Sequence, residues 1–406
     1  RRLAGRYTWD RTENVYPTYF GGTVADPSGA PAIYPRNSAV LTYTDTLSST
    51  LLLELRAGLN RFGIDRTPLS LGFDVTKLGM DASVNSQIQI PLFPYFSMSD
   101  VSPIGQNQGD ISAQRNNSWT AGGALTWLKG NHTLKFGAEE RIYQWNSVQG
   151  PGQFQLNFDR NFTKGPSPTV AATNGFGYAS FLLGYAAGGT LYRYNYPTYT
   201  TKNFAVFVQD DWKFSPKLTL NLGLRWEYEG PGTDRYNAIA NFDPYVTNTV
   251  NGVPLTGSII FPGTGNLGRG DRDAQKDNFG PRVGLAYQLL PRTVIRASYG
   301  VYYLPTTGIY VRLGSTGFES QTPYVGSTDG GITPAGSITN PFPNGIVMPS
   351  GTTLGAATGI GTNAAATLRS LKTGYSQQWD FNVQQQLGSW ALELGYMGNR
   401  GAGLPG

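Results

Sequence analysis

At 406 residues, with 14% charged side chains, 53 glycines and 26 prolines, the chain is too rich in turn formers for a helix-dominated enzyme. Its 13% aromatic content excludes a disordered chain, and a formal charge of +5 spread over scattered basic residues excludes nucleic acid as a partner. Cysteine is absent and histidine occurs once, which removes disulfide frameworks, thiolate metal sites and multi-histidine metal sites. No run of about 18 apolar residues occurs, so a membrane-spanning role would need a closed barrel of strands. The chain opens on Arg1 and ends in the turn-rich Gly401-Ala-Gly-Leu-Pro-Gly406, which reads as a fragment cut at both ends.

In chain order, a strand near Gly5–Trp9 lacks an evident partner. Leu41 and Tyr43 then descend to the turn Leu47-Ser-Ser49, and Leu51, Leu53, Leu55, Ala57 and Leu59 return opposite Glu54, Arg56, Gly58 and Asn60. Alternation of this kind puts the leucines on one strand face and the polar residues on the other. Trp119, Leu125 and Trp127 lead through Lys129-Gly-Asn131 to Leu134, Phe136 and Ala138, with Lys135, Glu139 and Arg141 on the reverse. Segment 147–200 is ambiguous: Phe154–Phe158 and Leu191–Tyr194 read as extended, Phe176–Gly184 as a short helix. Phe204, Val206 and Val208 precede the turn Ser215-Pro-Lys217, after which Leu218, Leu220, Leu222, Leu224, Trp226 and Tyr228 oppose Thr219, Asn221, Gly223, Arg225 and Glu227. Val283, Leu285 and Tyr287 turn at Pro291-Arg292 into Ile295, Ala297, Tyr299, Val301 and Tyr303, with Arg282 and Arg296 on the polar side. Trp379, Phe381 and Val383 turn at Gly388-Ser389 into Trp390, Leu392, Leu394 and Tyr396, opposite Asp380 and Glu393.

The turns inside hairpins are short, whereas connections 63–116, 230–277 and 304–376 each run to roughly fifty to seventy residues, far beyond ordinary loops. That asymmetry is expected of an all-β, antiparallel transmembrane barrel occupying 1–406, with short turns on the periplasmic side and long loops outside. About eleven strands are counted without segment 147–200 and about thirteen with it; an odd number does not close a bacterial barrel, so more strands are expected beyond this piece. Aromatics at the membrane interfaces should be Trp226, Tyr228, Tyr303 and Tyr396 on the outer side and Trp127, Trp212, Phe214 and Trp390 on the inner side. The Gly-rich stretch 351–363 reads as a flexible outer loop.

Phe207-Val-Gln-Asp-Asp-Trp-Lys213 followed by Leu218-Thr-Leu-Asn-Leu-Gly-Leu-Arg225 resembles the barrel of TonB-dependent receptors, and within them the Oar-like group. His132–Gly137, Ala179–Gly184, Asn278–Ala286, Arg296–Tyr303 and Gln377–Asn382 carry the same resemblance, in order, across about residues 38–400. The resemblance implies a bacterial outer-membrane barrel of about 22 strands, occluded by an N-terminal plug and energised by the TonB system. It also implies a carboxypeptidase-regulatory-like domain ahead of the barrel. None of these parts is recognisable in the sequence, which is expected to be a partial barrel.

The charged residues expected to face the lumen are Glu54, Arg56, Lys135, Glu139, Arg141, Arg225, Glu227, Arg282, Arg296, Asp380 and Glu393. Mixed in sign, they are expected to pair with one another and with a plug, with direct ligand contact as the alternative. Tyr303, Tyr310, Phe318 and Tyr324 could stack on a sugar or peptide ligand. Asp210 and Asp211 are adjacent, so they point to opposite faces and cannot act on one substrate. His132 alone offers no triad, and Asp271, Asp273 and Asp277 depart from calcium-loop spacing. No catalytic residue, metal or cofactor is expected. The functional expectation is a TonB-dependent receptor or transporter that takes up or binds an unidentified ligand, with oligosaccharide and peptide as candidate classes. An outer-membrane adhesion, binding or export-associated barrel is the alternative. A secreted carbohydrate-active enzyme would need clustered carboxylates that the sequence lacks.

Overall fold

The computed structural model describes the chain except residues 28–30, 106–110, 150–153, 166–168, 170–172, 197, 306–314, 364–366 and 405–406. Its strands are β1 (Arg2–Asn14), β2 (Ala32–Ser48), β3 (Leu51–Arg66), β4 (Tyr95–Met98), β5 (Ser112–Lys129), β6 (His132–Gln149), β7 (Phe154–Phe158), β8 (Gly188–Arg193) and β9 (Thr198–Ser215). They continue with β10 (Leu218–Glu229), β11 (Thr233–Asp234), β12 (Asn241–Val250), β13 (Val253–Ile260), β14 (Gln275–Leu290), β15 (Thr293–Leu304), β16 (Ser320–Val325), β17 (Gly374–Leu387) and β18 (Trp390–Ala402). Two short helices, α1 (Ala82–Gln87) and α2 (Gly177–Leu182), lie in the connections. No helix among the described residues is long and apolar enough to cross a membrane.

One antiparallel sheet forms a wall in the order β1-β2-β3-β5-β6-β9-β10-β14-β15-β17-β18, with β11 added beside β9. Each hairpin foreseen from alternation is present at its short turn. The first strand does have a partner: β1 pairs with β2 along its whole length, from Arg2↔Thr44 to Asn14↔Ala32. The path ends at β1 and β18, which are exposed along nearly all their length and are not paired with each other.

Register converts the sequence alternation into two continuous faces. Leu53, Leu125, Phe136, Val208 and Leu224 are successive cross-strand partners, as are Leu220, Leu285, Ala297, Phe381 and Tyr396. This face is apolar and open: Leu224 is 44% exposed, Val283 51% and Leu394 75%. A contiguous apolar surface of this extent is a membrane face, because water would penalise it and hydrocarbon does not.

The buried core lies elsewhere, in the long connections. β4, β7, β8 and β16 form a second sheet in the order β16-β8-β7-β4, built from three different connections. Its core gathers Val75, Met80, Val84, Phe93, Phe96 and Met98 from the β3–β5 connection, Phe154, Leu156, Phe158 and Leu191 from the β6–β9 connection, and Tyr324 and Phe342 from the β15–β17 connection. Segment 147–200 therefore adds its strands to this cap, and the wall keeps eleven in its path. The helical reading of Phe176–Gly184 corresponds to α2. A second cluster, Ala240, Ile259 and Phe261 with Phe242 and Phe318, packs around the β12–β13 hairpin. The stretch 351–363, expected as an outer loop, is turns around a 3-10 segment, Gly355–Ala357, with Thr358 buried.

Candidate functional site

Every one of the eleven charged candidates falls on the face of the wall opposite the leucines. Gly122, Glu139, Ala205 and Glu227 are cross-strand partners, and the neighbouring row runs Glu54, Ala124, Gly137, Phe207, Arg225. Tight turns keep this parity, so residues distant in sequence become neighbours. Glu139 accepts from Arg141 at 2.7 Å and lies 3.6 Å from Arg225, whose guanidinium also binds Glu227. Lys135 lies 3.5 Å from Glu54. Asp380 accepts from the Ser298 hydroxyl on the neighbouring strand, and Arg282 stacks 4.6 Å over the Tyr302 ring. Arg56, Arg296 and Glu393 make no ion pair among the described residues. The wall thus carries a connected charge cluster on β6 and β10, while β17 supplies mainly amides, among them Gln378, Asn382, Gln384 and Gln386.

Close packing accompanies the charges. A Cβ on Gly137 would meet the Phe207 ring, so the ring lies flat against β6 instead of projecting from the wall. Phe207 was not singled out in the sequence, where it reads as one more alternating aromatic.

The aromatics expected at the membrane interfaces fall at the two ends of the wall strands with one exception. Trp127, Trp212, Phe214 and Trp390 sit beside the short turns; Trp212 meets Phe214 edge-on at 4.9 Å, and the Lys129 ammonium lies 4.8 Å from the Trp127 ring. Trp226, Tyr228 and Tyr303 sit near the loop ends of β10 and β15, and the Trp226 indole donates to the Lys276 carbonyl at 2.6 Å. Tyr396 instead falls in the middle of β18, because that strand runs on to Ala402. Trp9, Trp119 and Trp379 share the apolar face but were not named among the interfacial aromatics.

His132 and Asp210 meet on the apolar face at the short-turn end, 2.7 Å apart, with the imidazole stacked on Trp212 at 5.1 Å. Asp211 faces the other way and accepts from Asn221 at 2.6 Å. Asp271 is buried against the Gly232 N–H at 2.7 Å, and Asp273 pairs with Arg369 at 2.8 Å, so these carboxylates do not converge. Among the described residues, no group of three or more histidine or carboxylate side chains is placed to hold a metal.

The β10–β14 connection and the end of the β15–β17 connection are pinned to the wall by a buried polar clasp. Glu229, the last residue of β10, accepts from Arg272 at 2.6 Å and from the Thr373 hydroxyl at 2.5 Å, and Asn278 donates to the same hydroxyl at 3.2 Å. Asn241 donates to the Asp271 and Thr367 carbonyls and accepts from Thr367 N–H at 2.9 Å. Burial pushes the Asp271 carboxyl above its ordinary range, against the Arg272 charge and the Gly232 N–H that favour the anion. Inside the cap, Asp100 accepts from Gly177 N–H and from Arg160, which hold its carboxyl low.

Of the aromatics proposed to stack on a ligand, Tyr324 is 4% exposed in the cap core and Phe318 packs edge-on against Phe261 at 5.7 Å. The Tyr324 ring is therefore not offered to a ligand, while Phe318 is half-buried. Tyr303 stays on the wall, 5.8 Å from the Tyr375 ring, and Tyr310 lies outside the described residues.

An antiparallel wall with one lipid-compatible face, one polar face, short turns at one end and folded loops at the other defines a transmembrane β-barrel wall. The family described as outer membrane beta barrel domain matches residues 1–406, and the chain belongs to it. The protein resides in the bacterial outer membrane. Similar solved structures include the outer membrane transporter YddB from Escherichia coli, with a TM-score of 0.47, 12% identity, and 95% of this chain and 36% of that one covered. The ferric yersiniabactin uptake receptor FyuA from Yersinia pestis gives a TM-score of 0.42, 10% identity, and 98% and 42% coverage. The FrpB iron transporter from Neisseria meningitidis gives 0.42, 11%, and 98% and 41%. The chain spans less than half the length of these structures. No curated protein sequence matches it.

Proposed function

We propose that the chain is the barrel wall of a TonB-dependent receptor or transporter that binds its ligand on the outer side and takes it up across the outer membrane. The observation that carries this reading is the polar face itself, where Arg141, Glu139, Arg225 and Glu227 form a connected cluster of paired charges. A lumen lined in this way suits contact with a folded plug, whose own polar surface can pair with fixed charges. The ordered phrases from His132 to Asn382 that resemble this receptor group support it as well. TonB coupling would run through an N-terminal plug region. The ligand class in keeping with the amides of β17 is an oligosaccharide or peptide, bound by hydrogen bonds without chemical conversion.

A second reading is an adhesion, binding or export-associated barrel. The separately cored cap favours it, because such a cap could serve as a membrane-anchored binding domain. The experiment is to express the full-length reading frame with its own signal, fractionate the cells, and look for an outer-membrane band whose mobility shifts on boiling. Accumulation of labelled oligosaccharide or peptide pools in cells with and without TonB then separates the two readings. TonB-dependent accumulation supports the receptor; surface binding independent of TonB supports the alternative. A soluble product would sink both.

A further inference from the structure

One carboxylate of β9 stands on the lipid side of the wall. Phe204, Val206, Val208, Trp212 and Phe214 form the apolar stripe of that strand, and Asp210 interrupts it between Val208 and Trp212. An ionisable group facing lipid is costly, least so near an interface and where a partner compensates it. Asp45 shares this face and is matched by a permanent cation, Arg1 at 3.1 Å, with a further hydrogen bond from the Tyr43 hydroxyl at 2.7 Å. Asp210 is met instead by His132 at 2.7 Å, a partner that balances its charge only when protonated. Both are reachable from the lipid side, since 19% of the Asp210 side chain and 37% of the His132 side chain are exposed.

The surroundings suit a dipolar headgroup. Lys129, His132 and Trp212 are successive cross-strand partners on β5, β6 and β9, and Trp127, Leu134 and Asp210 form the next row toward the bilayer. Asp210 leans back to His132, so its carboxylate lies at the level of the first row. Trp212 stacks on the imidazole at 5.1 Å, and the Lys129 ammonium lies 4.8 Å from the Trp127 ring centre. Neighbouring strands are about 4.8 Å apart, so β5 and β9 are separated by roughly 10 Å, with a cation at one end and a carboxylate at the other. A phosphate ester joined to an ammonium by two carbons bridges that span with one charge-assisted hydrogen bond at each end. Toward the bilayer on the same face, Leu53, Gly123, Leu125, Phe136 and Val206 line a shallow depression of about 460 Å³, in position to receive an acyl chain.

We propose that Lys129, His132 and Asp210 form a binding site for one phospholipid with a primary-ammonium headgroup at the short-turn rim of the wall. Asp210 accepts from the ammonium and Lys129 donates to the phosphate. His132, bonded to Asp210 and stacked on Trp212, positions the carboxylate. A quaternary ammonium has no N–H to give Asp210, and a glycerol headgroup brings no cation, so both bind more weakly. The site lies outside the barrel and is the same whether the barrel transports a ligand or anchors a binding domain.

The full-length protein, extracted in mild detergent and delipidated, is titrated with dioleoyl phosphatidylethanolamine, phosphatidylcholine or phosphatidylglycerol, and bound lipids are counted by native mass spectrometry. Phosphatidylethanolamine should occupy one site at least about fivefold more tightly than either of the others. Asp210→Asn should abolish that preference. Lys129→Gln should weaken phosphatidylethanolamine and phosphatidylglycerol alike by about threefold, and Asp211→Asn, on the opposite face, should change nothing. A band shifting on boiling shows that each variant is folded, and Lys129→Gln carries the test where Asp210→Asn does not fold. Equal affinity of the unsubstituted protein for the three lipids would overturn the site. So would a preference that survives Asp210→Asn, or a Lys129→Gln chain that binds as the parent does.

Discussion

The wall and the cap solve opposite problems with the same residue types. In the wall, leucine, valine and tryptophan stand exposed on one face, Trp390 at 78% and Leu394 at 75%, and among the described residues no apolar cluster is buried within the sheet. In the cap, Leu156 and Val75 are fully buried, and short strands, two helices and a polar clasp close around them as in a water-soluble domain. The difference teaches that hydrophobicity in this chain is spent on two solvents. The wall delegates its burial to lipid, and only the cap must build a core of its own.

The largest test of that division is the clasp. Arg272→Ala would take the guanidinium away from Glu229, which is 2% exposed and would keep the Thr373 hydroxyl. Breaking a buried pair by removing one partner costs about 3–5 kcal/mol. The loss should appear as faster hydrogen exchange in 230–274 and 367–373, with the strands of the wall unchanged. Uniform loss of protection in wall and cap would mean that they are one cooperative unit.

Next in size is the wall's own test of sidedness. Leu222→Arg places a charge on the leucine face and should destabilise the inserted barrel by about 2–4 kcal/mol, whereas Asn221→Arg, one residue away on the polar face, should be close to neutral. Folding into vesicles against urea reads both. Equal penalties would reverse the assignment of faces.

Gly137→Ala sharpens the comparison on the polar face, because the new methyl would strike the Phe207 ring. Overpacking of this kind costs about 1–3 kcal/mol and should be relieved in part by Phe207→Ala in the same chain, the Gly123 carbonyl contact at 2.9 Å remaining. The same readout applies, and additive effects of the two substitutions would remove the contact from the account.

How much of this was legible follows from the same contrast. The wall hairpins could be read because each strand has one apolar face and its partner lies just beyond a short turn, so that period and turn agree. The eleven charged candidates share one face because tight turns preserve parity within each hairpin and strand register carries it across the long connections from Glu54 to Glu393. Cap partners are remote, so no local signal announces them. β7 pairs in parallel with β4 and β8 pairs antiparallel with β16, and Phe154-Gln-Leu-Asn-Phe158 shows alternation without showing what it will join. Tyr324 looked like a ligand-stacking loop aromatic because burial by a distant connection leaves no local trace. One legible signal was passed over: Asn251-Gly252, both at positive φ, forms the tight turn of the β12–β13 hairpin between Val250 and Val253. Tyr396 was placed too high because the end of its strand was set at the last aromatic, and the polar run to Ala402 was left out.

The smallest expected effect concerns the clasp's buried acid. Burial raises the Asp271 carboxyl pKa above its unfolded value, so the folded cap binds a proton there more readily than the unfolded chain. Its contribution to stability therefore falls as pH rises from the unfolded pKa through the raised folded one, and returns on acidification. Asp271→Asn keeps an oxygen for the Gly232 N–H and removes the charge. It should stabilise the cap at neutral pH by under about 1 kcal/mol, since the neighbouring Arg272 still has Glu229 as a partner. That advantage should shrink as pH is lowered through the carboxylate range, and the cap's unfolding midpoint against pH measures it. A variant less stable than the parent at neutral pH would mean that the Arg272 attraction outweighs the desolvation of Asp271, and the clasp would then be held by two carboxylates instead of one.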